Sequence, residues 1–149
     1  MSELSRGEMY LQAKHTMTMI RELPRFAAHG SHDAPTPTVR VACLEAFFMD
    51  VRAITDFLCC RPEAKLSSSD FSARDWVADW QPVPVASAAR LAKSWVIAST
   101  HVAHFSRARL QQDPDNREYY PTDLAALEAI AADAQLVWDS FAARLDEQV

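Results

Sequence analysis

Apolar residues recur along this chain at spacings of three and four, a rhythm that predicts helices wherever it can be followed. Met9, Ala13, Met17 and Ile20 form the first such stripe, in a helix expected over residues 3–22. Pro24 interrupts it, Phe26–His29 adds a turn, and Gly30 is placed to cap that turn. The segment from His29 to Thr38, with Gly30, Pro35 and Pro37, reads as a loop. A second helix is expected over 39–60, with Cys43, Phe47, Val51, Ile54 and Leu58 as its core stripe and Leu44 and Phe48 widening it. Glu45, Arg52 and Asp56 fall on the opposite side, where Arg52 and Asp56 have the spacing of an i,i+4 ion pair.

Pro62 to Pro84 is a long crossover with a short helix expected near Ser72–Trp80. Ser72-Ala-Arg-Asp75 has the form of a capping box in which Asp replaces the usual Glu or Gln. Trp76 and Trp80, four apart, are expected on one face, covering an edge of the core. A third long helix spans 85–112 on the stripe Leu91, Trp95, Ala98, Val102 and Phe105, and Asp113-Pro-Asp-Asn116 ends it. The last runs over 122–147, with Thr122 as N-cap and Leu127, Ile130, Ala134, Trp138, Phe141 and Leu145 as its stripe. Four long amphipathic helices joined by one longer crossover predict an all-α chain, one domain over 1–149, arranged as an up-down-up-down four-helix bundle.

Charge refines this arrangement. Between Val85 and Gln112 the charged residues are Arg90, Lys93, Arg107 and Arg109, with no acid. From Thr122 onward Asp123, Glu128, Asp133, Asp139, Asp146 and Glu147 face only Arg144. A basic helix and an acidic one are expected to be neighbours. With only two glycines, the chain lacks the residue that hairpin turns and phosphate-cradling loops require. A formal net charge of −5 argues against bulk binding to nucleic acid and leaves a local basic face open. Cys43, Cys59 and Cys60 have no C-x-x-C spacing, so reduced thiols closing a helix end are expected over a vicinal disulfide. The N-terminal Met-Ser-Glu-Leu-Ser-Arg-Gly-Glu has no apolar signal region, and no run approaches membrane-spanning length. The expected location is the cytoplasm, without a membrane partner.

Titratable chemistry concentrates on the third helix, in His101-Val-Ala-His104-Phe-Ser-Arg107. Residues three apart on a helix can reach one ligand, so His101 and His104 are a legitimate start for a metal site, with Asp50, Glu45 or Asp56 as further ligands. The chain has no Glu-x-x-His pair and no His-Glu-x-x-His, and the favoured reading is structural. Helical phasing sets His101 on the shoulder of the buried face, where Asp50 is its expected partner, and His104 toward solvent. No nucleophile stands beside that pair, and no cofactor is expected. Arg107 and Arg109 suit a phosphate or the helix dipole, and Tyr119-Tyr120 suit a base stack or a plug for the end of the core. His29, His32 and Asp33 form a second group in a solvated loop, and His15 shares a strip with Leu11 and Met19 that suits a dimer contact.

The segments Leu44-Glu-Ala-Phe-Phe-Met-Asp-Val-Arg-Ala-Ile-Thr-Asp-Phe-Leu58 and His101-Val-Ala-His-Phe-Ser-Arg-Ala-Arg109 together resemble a group of uncharacterised bacterial helical proteins. In that group an Arg-x-[Leu/Ile]-x-Asp-Phe-Leu helix precedes a His-[Leu/Val]-Ala-His-[Leu/Phe] helix with a downstream arginine. More distantly, the arrangement is similar to HEPN domains, which bind nucleotides or cleave RNA. The positions four to six before His104 hold Thr100, Ser99 and Ala98, where HEPN ribonucleases carry an arginine. The resemblance implies a shared polar set of Arg52, Asp56, His101, His104 and Arg107. With Asp50 these form the candidate site. Three functions are therefore expected, in this order: a non-catalytic binding or assembly protein, homodimeric or with a protein partner; an RNA-binding or RNA-cleaving protein; and a metal-dependent enzyme using His101 and His104.

Overall fold

The computed structural model describes residues 3–62, 69–100 and 123–147. Among them the regular structure is entirely helical: α1 (Glu3–Glu22), α2 (Pro24–Ala27), α3 (Pro37–Phe57), α4 (Val85–Ala98) and α5 (Leu124–Asp146). The four long helices expected from the periodicity are present over the described residues, residues 101–112 of the third lie outside them, and the other boundaries differ where capping chemistry overrides pattern. α3 starts two residues early, because the Thr36 hydroxyl accepts the Val39 N–H at 3.2 Å and Pro37 suits the first turn. α5 is capped by Asp123, whose carboxylate accepts the Ala126 N–H at 3.1 Å; Thr122, the expected cap, lies outside the described residues. Pro24 opens α2 with a fixed φ, and Gly30, at φ +75°, takes the left-handed turn two residues past Ala28.

The C-terminal end of α3 is the most elaborate. The Cys60 N–H donates to the Thr55 carbonyl at 3.0 Å and the Cys59 N–H to the Asp56 carbonyl at 3.1 Å, the paired bonds of a Schellman cap. This motif needs a left-handed residue, and Cys59 supplies it at φ 58° although it is not glycine. The helix therefore ends at Phe57 and not at Cys60 as periodicity suggests. The Leu58 carbonyl is then taken by the buried Trp80 indole N–H at 2.9 Å.

That bond fixes the crossover. The helix expected near 72–80 is a single 3₁₀ turn, Ala73–Asp75, closed by the predicted capping box: the Ser72 N–H donates to Asp75 Oδ2 at 2.7 Å. It does not continue, because the Arg6 guanidinium occupies the Asp75 carbonyl at 2.7 Å and the two tryptophans are held by different partners. Trp76 lies 5.6 Å from Phe57 and Trp80 lies 5.5 Å from Phe141. Arg144 on α5 grips both Asp79 oxygens at 3.1 Å, tying the crossover to the last helix.

α3 packs against α1, α2 and α4, and α5 packs against α4, α1 and α2. Phe47, Phe48, Val51 and Ile54 of α3 and its cap residue Leu58 are fully buried, as are Ile20, Leu91, Leu127, Val137 and Phe141. Phe57, Trp138 and Phe141 form an aromatic lattice with ring centroids 5.6–6.2 Å apart, and Tyr10 stacks on Trp138 at 5.8 Å. The described members of the predicted stripes supply much of this core, with Met9, Cys43, Trp95, Ile130 and Leu145 only half-buried at its rim, while Val102 and Phe105 lie outside the described residues. The expected pairing of the basic and acidic helices is realised in one bond pair. Arg90 of α4 donates from Nε at 2.8 Å and from Nη2 at 2.7 Å to the two oxygens of buried Asp133 on α5.

Two stability measurements check this description. Trp80→Phe leaves the Leu58 carbonyl buried without a donor and is expected to cost about 2 kcal/mol in urea unfolding. Cys59→Gly removes the left-handed penalty and is expected to stabilise by about 0.5 kcal/mol, after the added freedom of the unfolded chain is subtracted.

Candidate functional site

Of the candidate polar set, Asp50, Arg52 and Asp56 lie among the described residues, whereas His101, His104 and Arg107 lie outside them. So do Arg109, Tyr119 and Tyr120, and with them the expected Asp50–His101 contact. The regular α-helical phase of α4 ends in a wider, π-type turn at 99–100, immediately before that segment.

Arg52 and Asp56 sit on the flank of α3 that faces α4, and both are half-buried there, not solvated. Their expected mutual ion pair is not formed, because α4 offers each a better partner in Trp95. The indole N–H of Trp95 donates to Asp56 Oδ2 at 2.9 Å, and the Arg52 guanidinium carbon lies 5.2 Å from the ring centroid. Arg61, just beyond the α3 cap, completes the group. Its guanidinium carbon is 3.2 Å from the same centroid, and its Nη1 is 3.4 Å from Asp56 Oδ1. That last approach gives charge attraction without hydrogen-bond geometry, leaving the buried Oδ1 without a donor. Two cations over one indole repel each other, and the Asp56 carboxylate offsets this. The arrangement clamps α4 onto the end of α3.

Asp50 lies on the other flank of α3, toward α1. Partial burial pushes its carboxyl above the usual value of 3.8, and the positive charge of nearby His15 pulls it partly back. Sequence reasoning assigned His15 to a separate apolar strip; the structure gives it a charged neighbour. On the same strip Leu11 is 63% exposed, whereas Met19 packs against the core. The three cysteines are unpaired, in line with the sequence reading, and burial with Cys59 and Asp56 nearby pushes the Cys60 thiol up to about 12. Among the described residues no group of three or more His, Cys, Asp or Glu side chains is arranged to hold a metal ion.

Pattern reading missed two features. The first is the outward face of α3, read from sequence as the polar side. Glu45, Arg52 and Asp56 lie on one edge of that side, while its centre carries Val39, Ala42, Ala46, Met49 and Ala53, all exposed. Their spacings of three, four, three and four are a second helical stripe, visible in the sequence once the core stripe is set aside. The second is a pair of recesses near the two ends of that face. One, of about 410 Å³, opens between α1 and α3 beside Phe71 and includes Met9, Thr16, Ala53 and Phe57 in its walls. The other, of about 420 Å³, is a shallow groove formed by Pro37, Thr38, Val41, Ala42 and Glu45.

Comparison with protein-family models, curated proteins and solved structures finds no match for this chain.

Asp50 gives the site a pH signature. Its folded value lies above its unfolded one, so the folded state holds the proton more tightly, and stability falls as pH rises through that window. Asp50→Asn is expected to flatten this descent above pH 3.8 and to raise the thermal midpoint at neutral pH. Unfolding midpoints of both proteins measured across pH check this; a lower midpoint for the variant at pH 7 contradicts it.

Proposed function

We propose that this chain is a non-catalytic, cytoplasmic helical-bundle protein whose role is binding and assembly, and that it works as a homodimer. The neighbour order α1, α3, α4, α5 and back to α1, with α3 and α5 on a diagonal, supports an up-down-up-down bundle in one domain. No described helix is long and apolar enough to cross a membrane.

The exposed apolar face of α3 carries the reading. Val39 is 38% and Met49 42% exposed on the central helix of the fold, aligned with three exposed alanines. Scattered surface hydrophobes need no explanation, but a stripe that follows the helical repeat for four turns fits a partner helix. Four of the described carboxylates fit the same reading, since they hold elements together. Asp56 clamps Trp95, Asp133 holds Arg90, Asp79 holds Arg144, and Asp75 closes the 3₁₀ turn.

Light scattering coupled to size exclusion tests self-association. The expected mass in the micromolar range is twice the 16.7 kDa of one chain. A single-chain mass throughout that range contradicts the proposal.

A further inference from the structure

We propose that the recess of about 410 Å³ between α1 and α3 is a binding site for a small, uncharged aromatic molecule. Such a site is independent of self-association, since its walls come from one chain.

The recess reaches the core instead of merely denting the surface. Ala13 and Thr16 of α1 and Ile54 and Phe57 of α3, all buried, line it together with half-buried Met9 and Phe71. Bonds made outside the recess hold these walls in place. Phe71 directly precedes the capping box of Ser72 and Asp75, and the Arg6 guanidinium of α1 donates to the Asp75 carbonyl at 2.7 Å. Phe57 packs on Trp76 with ring centroids 5.6 Å apart, and meets Phe141 edge-on at the same distance. The walls are therefore set before a ligand arrives, so little ordering is lost on binding.

The lining selects the class of ligand. Phe57 and Phe71 offer aromatic faces and edges, and the thioether of Met9 favours contact with a ring. Among the described residues that line the recess there is no Lys, Arg or His, and the charged one is Asp70. Thr16 turns its hydroxyl proton onto the Gln12 carbonyl at 3.2 Å, so that hydroxyl gives an anion no donor. A carboxylate, sulfonate or phosphate would lose hydration here without gaining a counter-charge. A neutral ring system gives up little and gains dispersion contact on its buried sides. A cavity of about 150 Å³ takes one benzene, so about 410 Å³ suits a molecule of about two or three rings.

Fluorescence titration of the full chain with N-phenylnaphthylamine, a neutral aromatic amine, tests this beside anilinonaphthalene sulfonate, the same rings carrying an anion. The neutral probe is expected to saturate at about one molecule per chain and to bind about tenfold more tightly than the sulfonate. Ala13→Leu fills the recess and is expected to weaken the neutral probe about tenfold. Phe71→Ala removes a ring contact outside the core and is expected to weaken it about fivefold. Met49→Glu, on the outward face of α3, is expected to leave binding unchanged, which separates the recess from that surface. Circular dichroism melting shows which variants are folded, and if Ala13→Leu is not, Phe71→Ala decides alone. No saturable binding to wild type, equal affinity for the two probes, unchanged affinity in either folded recess variant, or lost binding in Met49→Glu would each overturn the site.

Discussion

The carbonyl groups at the C-terminal end of α3 are buried, and they must find donors inside the protein. Two come from the chain's own reversal, the N–H groups of Cys59 and Cys60, and the third is the indole of Trp80. That third donor sits more than twenty residues downstream, so satisfying one carbonyl fixes the path of the whole crossover. With Trp80 and Trp76 in place, Phe57 and Phe141 gain their ring partners, and the aromatic lattice joins α1, α3, the crossover and α5. Burial of a polar group without a partner costs more than the bond itself contributes, which is why this requirement dominates the local layout.

α3 is then committed on three sides. Its large side chains form the core, its Asp50 edge meets α1, and its Arg52–Asp56 edge meets α4 through Trp95. Asp50, Arg52 and Asp56 lie half-buried at these edges, each beside a residue of a neighbouring helix. The centre of the outward face is left with small and apolar residues. This is the division of charges and apolar positions that a helix shows when it packs on both sides, with its charges confined to the seams between the two interfaces.

Much of the fold is legible in the sequence because burial imposes a regular repeat. The described stripe positions of α1, α3, α4 and α5 supply many of the buried residues, and the opposed charges of the last two helices anticipate Arg90–Asp133. The capping box at Ser72–Asp75 was equally readable, since its donors and acceptors are local. What was not readable depends on contacts distant in sequence. Nothing near Cys59 announces a left-handed residue, because the preference belongs to glycine and is overridden here by the requirement to end α3. Arg52 and Asp56 have ideal spacing for a pair, yet a tryptophan 39 residues beyond Asp56 takes its carboxylate. The outward stripe of α3 escaped because three charged residues on one edge made the whole side look polar.

The central claim is that α3 buries two faces, one within the chain and one against a second copy. Methionine methyl resonances report this directly, because the chain has only five methionines. Met17 is buried in the core and Met49 stands exposed on the outward face. With methyl-labelled methionine and a soluble paramagnet, Met49 should be strongly relaxed in dilute protein and become protected as concentration rises, while Met17 stays protected throughout. A Met49 methyl that remains equally accessible at concentrations where the protein is dimeric would contradict the account.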